Sequence, residues 1–111
     1  MKSIKINVKG RVQGVGFRMA IKNYCDDNAI KGFVRNLNNG GVEIAVQCGE
    51  MALDKFVKWL KENQGFSKVE NLRVEEIEEE NFNGFEIRRN GNFFMDQGKA
   101  VSNLGRKLLK S

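Results

Sequence analysis

Histidine is absent from the 111 residues. A histidine general acid, a histidine-activated nucleophile and a histidine-bearing zinc site are thereby excluded. Cysteine is scarce: Cys25 and Cys48 are the whole supply, too few for a disulfide scaffold or a metal set. Both are expected to be free, mostly structural thiols that behave as small apolar residues. No apolar run approaches the length of a membrane span, and no signal-peptide pattern opens the chain. A cytoplasmic location and no membrane partner are the expectations. Acids are missing from one end. Residues 1–25 hold Lys2, Lys5, Lys9, Arg11, Arg18 and Lys22 and no Asp or Glu. An anion meets no local like charge there, and a divalent cation finds no carboxylate to hold it. No cofactor and no metal are expected.

The length suits one domain with a modest core. The formal charge is +5 and the pI about 9.4, which permits a nucleic-acid partner without pointing to one. Residues 91–111 carry +3 of that charge, leaving +2 up to residue 90. That is a weak footprint for a nucleic-acid binder.

The chain is organised around Gly10-Arg11-Val12-Gln13-Gly14-Val15-Gly16-Phe17-Arg18. Before it, Ile4, Ile6 and Val8 alternate as in a half-buried strand over about residues 3–8. After it, Phe17, Ala20, Ile21 and Tyr24 share one face of a helix over about 17–28. Strand, glycine-rich loop and helix bring bare backbone amides and the positive end of a helix around one small concavity, which suits an anion. Arg18 adds a planar fork for two oxygens of one phosphate or carboxylate.

Residues 30–36 read as a second strand and Val42 to about Cys48 as a third, joined by a hairpin at Asn38-Asn39-Gly40-Gly41. A second helix is predicted from about Met51 to Asn63, with Leu53, Phe56, Val57 and Leu60 as its core stripe and Trp59 at the edge. A fourth strand begins near Val69 or Leu72; its alternation slips between Val74 and Ile77, the mark of a bulge. Phe85 and Ile87 give a short last strand. The order is that of an α+β, ferredoxin-like split β-α-β sandwich, an antiparallel sheet with two helices on one face. Residues 1–90 form this domain, and 91–111 a C-terminal extension.

Two segments, Gly-Arg-Val-Gln-Gly-Val-Gly-Phe-Arg at 10–18 and Gly-Phe-Val-Arg-Asn at 32–36 followed by Gly40 and Val42, resemble the paired signatures of the acylphosphatase family. Residues 82–88 resemble that family's final strand, so the likeness spans about residues 3–90. One departure is Cys48, which delays by one residue the glycine that usually follows the third strand. The chain also continues more than twenty residues past the usual end of the domain.

The resemblance implies a metal-independent hydrolase whose partners are an acyl phosphate as substrate and inorganic phosphate as product. It makes Arg18 the phosphate-binding arginine and Asn36 the residue that positions the attacking water. The backbone of Gln13, Gly14, Val15, Gly16, Phe17 and Arg18 then forms the phosphate-binding loop, Gly14 and Gly16 allowing close approach. Arg11 and Arg35 are expected to raise the local potential, and Gln13 to be structural. The chemistry agrees: a carboxylate leaving group departs without a general acid, and phosphoryl transfer needs mainly positioning and charge stabilisation. Competing readings are a non-catalytic small-anion or metabolite-binding module, and RNA binding on the open sheet face. For RNA the usual stacked aromatics are missing, Phe33 standing alone. In the extension, Val101, Leu104 and Leu108 recur at helical spacing. A short basic amphipathic helix is expected there, docking on its own sheet or mediating self-association.

Overall fold

The computed structural model describes residues 3–62, 65 and 67–90. The expected helix of the extension, with Phe93 and Phe94 ahead of it, lies outside them. Seven elements follow in order: β1 (Ser3–Arg11), α1 (Phe17–Asp27), β2 (Lys31–Asn36), β3 (Val42–Gln47), α2 (Glu50–Lys61), β4 (Lys68–Ile77) and β5 (Phe85–Ile87). They build one five-stranded sheet in the order β4-β1-β3-β2-β5. β1 and β2 are therefore not partners, and β3 lies between them.

Register explains the core. Ile6 pairs with Ile44 and Val74, and Ile44 in turn with Val34, which lies beside Ile87. Paired residues point to the same face, so this row of apolar side chains crosses all five strands. The next row runs Leu72, Val8, Val42 and then Asn36. Both rows face the helices, where Phe17, Ile21 and Cys25 of α1 and Phe56 and Leu60 of α2 close the core. Tyr24 joins the two helices, its ring 5.3 Å from that of Phe56 and 4.5 Å from that of Trp59. Each fully buried side chain of this size contributes about 2 kcal/mol of apolar transfer energy.

Two expectations change. The sheet is antiparallel except at one edge, where β5 runs parallel to β2. The link from β4 to β5 crosses to the far edge of the sheet, which decides the direction in which β5 returns. The bulge is not between Val74 and Ile77, where pairing with β1 is continuous. Leu72 and Val74 face the helices, whereas Ile77, opposite Ser3, faces the other way. The register shifts instead at Lys9/Gly10, leaving Glu70 without an opposite residue. Gly10 takes φ 134° there, and a Cβ on it would collide with the Lys68 carbonyl. Cys48 does no harm to the register: β3 pairs without interruption through Gln47 on both sides. Gly49 then caps α2 from an extended conformation.

Candidate active site

β1 ends at Arg11 and α1 begins at Phe17, so five residues make the turn. Gly14 has φ 73° and Gly16 φ 80°, values that L side chains rarely adopt. A Cβ at either glycine would meet nothing within 4 Å. The two glycines thus serve the backbone conformation, and the space above them is open for an approaching group. Gly16 is the N-cap of α1, yet no side chain caps that end and its first turn holds no acid. Its amides and the positive end of the helix remain available.

The turn encloses a concavity of about 210 Å³, walled by Val12, Gly14, Gly16, Phe17, Arg18 and Met19, with Ile87 across from them. Arg18 is half-buried, and among the described residues no carboxylate pairs with it. Four of the six residues expected in the loop line the concavity. Gln13 and Val15 do not: the Val15 side chain packs against the core, and the Gln13 amide turns to Leu37 and Gly41.

Asn36 is the last residue of β2 and sits at the loop end of the sheet, in the row of Leu72, Val8 and Val42. It is 7 % exposed, and its Oδ1 is buried without a hydrogen-bond partner. An unsatisfied buried acceptor costs about 1–3 kcal/mol. An asparagine in an apolar row, with an open acceptor, is where a water or a ligand would be held. It does not line the concavity.

Arg35 is a correction. It faces the opposite side of the sheet, where its guanidinium pairs with Glu43 at 2.6 Å and its Nε donates to the same oxygen at 2.8 Å. Arg35 therefore adds no net potential to the loop. A sequence signal existed, since a hairpin turn centred on Asn39, with Asn38-Asn39-Gly40 as its loop, sets Arg35 opposite Glu43. Among the described residues that same face offers no open stacking platform. Phe33 is 8 % exposed, covered by the Phe82 ring at 6.1 Å and the Arg88 guanidinium at 3.9 Å. The RNA-binding reading loses its one aromatic.

The thiols are structural, as expected. Cys25 lies fully in the core and Cys48 is half-buried. Burial pushes the Cys25 thiol far above its ordinary range, helped by the neighbouring Cys48, and raises Cys48 as well. Neither is a ready nucleophile.

A strand–loop–helix with an uncapped start, an arginine with no carboxylate partner among the described residues and an asparagine with a buried, unpartnered Oδ1 would suit a small anion-handling α+β domain. The sequence model of the acylphosphatase family matches residues 4–87. An acylphosphatase from Bacillus licheniformis is 41% identical over 88 residues, covering 78% of this chain and 98% of the relative. One from Archaeoglobus fulgidus is 38% identical over 87 residues, with the same two coverages. The crystal structure of acylphosphatase from Bacillus subtilis superposes with a TM-score of 0.75 at 39% identity, covering 79% of this chain and 99% of that one. The chain belongs to the acylphosphatase family.

Proposed function

We propose that this chain hydrolyses acyl phosphates to a carboxylate and inorganic phosphate, and that residues 13–18 and Asn36 do so without a metal. The phosphoryl group sits in the concavity, its oxygens held by loop amides and by the start of α1, with Arg18 forking onto two of them. Charge on the equatorial oxygens meets donors that are already oriented, which is the main demand of phosphoryl transfer. The Asn36 Oδ1 accepts from the attacking water and fixes its line of approach. Asn is too weak a base to take the proton, so a phosphate oxygen of the substrate receives it. The carboxylate leaves as a stable anion and needs no acid, which the concavity lacks: no Asp, Glu or His lines it.

The observation that carries this reading is the buried, unpartnered Oδ1 of Asn36. Binding of a small anion alone would need no such acceptor, and the oxygens of a phosphate would repel it. We also propose a cytoplasmic location, where free Cys25 and Cys48 persist as thiols. Residues 91–111 form a separate extension outside the catalytic domain in this reading, since the family match stops at residue 87. Deleting them should leave kcat and KM within a few-fold.

The test is release of phosphate from benzoyl phosphate by the purified protein with a chelator present, and competitive inhibition by inorganic phosphate. Turnover lost with chelator and restored by magnesium contradicts the metal-free reaction. Phosphate binding without turnover supports the non-catalytic anion-binding module instead.

A further inference from the structure

One side chain joins the two halves of this site. Gln13 Nε2 donates to the Leu37 carbonyl at 2.8 Å and to the Gly41 carbonyl at 2.7 Å. Those are all the hydrogens a carboxamide nitrogen has. Leu37 directly follows Asn36, and Leu37 and Gly41 close the β2–β3 turn, with Leu37 N donating to Gly41 O at 2.8 Å.

The turn does not need Gln13. Leu37 O already accepts from Gly40 N at 3.2 Å, and Gly41 O from Leu37 N. Gly41 N also finds Asn39 Oδ1 at 2.9 Å. Each carbonyl that Gln13 reaches therefore has a backbone partner before Gln13 arrives, so no orphaned group explains the two bonds. Their one remaining effect is relational. They hold the loop that carries the anion-binding amides at a set distance from the strand end that carries Asn36.

We propose that Gln13 is a positioning residue, which fixes the phosphate-binding loop against Asn36 and so aligns the bound phosphorus with the attacking water. This rests on the roles given above to the loop and to Asn36. A small misplacement of two reacting centres is costly to rate, while each half can still bind its own ligand. The signature of Gln13 is therefore a loss in kcat that depends on Asn36 being present.

The experiment is a double-mutant cycle on benzoyl phosphate, with chelator, using wild type, Gln13→Met, Asn36→Ala and the double variant. Inhibition by inorganic phosphate is measured on each. Gln13→Met should lower kcat by roughly 10- to 100-fold in the wild-type background, leave phosphate inhibition within about threefold, and cost less than about threefold beside Asn36→Ala. Equal losses in the two backgrounds overturn the proposal, as does phosphate affinity that falls in step with kcat. Should Gln13→Met fail to fold, Gln13→Glu serves, since a protonated carboxyl keeps one donor and a carboxylate has none. Its kcat should recover relative to wild type as pH falls; a profile parallel to wild type overturns the proposal. Folded wild type that is inert towards benzoyl phosphate removes the functional reading and this proposal with it. Turnover with additive losses removes this one alone.

Discussion

The two faces of the sheet use the same residue types to opposite ends. On the open face, Arg35 is held by Glu43, Arg88 pairs with Glu86 at 2.6 Å, and both guanidinium groups lie over the Phe33 ring. On the helix face, at the loop, Arg18 has no acidic partner among the described residues. The asparagines divide in the same way. Asn28 Nδ2 donates to Tyr24 O at 2.8 Å to close α1, and Asn39 Oδ1 accepts from Gly41 N to close the hairpin. The Oδ1 of Asn36, three residues before Asn39, accepts from nothing among the described residues. Groups that build the fold are satisfied by it, and those left unsatisfied mark where a ligand completes the structure.

The sharpest way to break this comparison is to truncate the two arginines. Arg18→Ala should lower kcat/KM by roughly 1,000-fold or more and weaken inhibition by phosphate, while denaturant midpoints stay near wild type. Arg18→Lys should recover little, because a point charge cannot reproduce a fork. Arg35→Ala should do the reverse. It strands Glu43, 5 % exposed, and should cost about 3 kcal/mol of stability in urea titrations with kcat kept within a few-fold. An Arg35→Ala protein that is stable but inactive would merge the two faces into one site.

The core gives a smaller, pH-dependent effect. The Cys25 thiol, raised by burial and then by Cys48, keeps its proton in the folded state after the unfolded chain has lost it. Its stabilising contribution is complete below the unfolded value of 9.0 and is lost as pH climbs above it. Stability should fall above about pH 9 by up to about 1.4 kcal/mol per pH unit. A Cys25→Ala protein, compared by urea titration at pH 8 and 10, should show a shallower fall.

Much of this was legible in the chain, for local reasons. Alternation at Ile4, Ile6 and Val8 located β1, the Asn-Asn-Gly-Gly run located the hairpin, and the spacing of Gly14, Gly16 and Arg18 located the loop. What escaped was set by partners distant in sequence. Nothing near Glu70 announces that Gly10 will displace it from the ladder. The parallel course of β5 depends on where the 78–84 link crosses the sheet, with Ser3 Oγ accepting from Glu80 N at 2.9 Å on the way. The Gln13 bonds span 24 and 28 residues and appear only once the sheet has formed. Asn36 was legible as a polar residue at a strand end. That it sits in an apolar row with an open acceptor was not.

Asn36 is thus where the contrast between satisfied and unsatisfied groups is most exposed to a single measurement. Steady-state hydrolysis of benzoyl phosphate by Asn36→Ala, on protein whose urea midpoint is taken from the same preparation, tests it directly. In this variant kcat should fall roughly 100-fold or more, phosphate inhibition should be retained, and stability should equal wild type or exceed it, because an unpaired buried acceptor has been removed. A folded Asn36→Ala protein with near-normal kcat, or one that keeps kcat while losing stability, would contradict it.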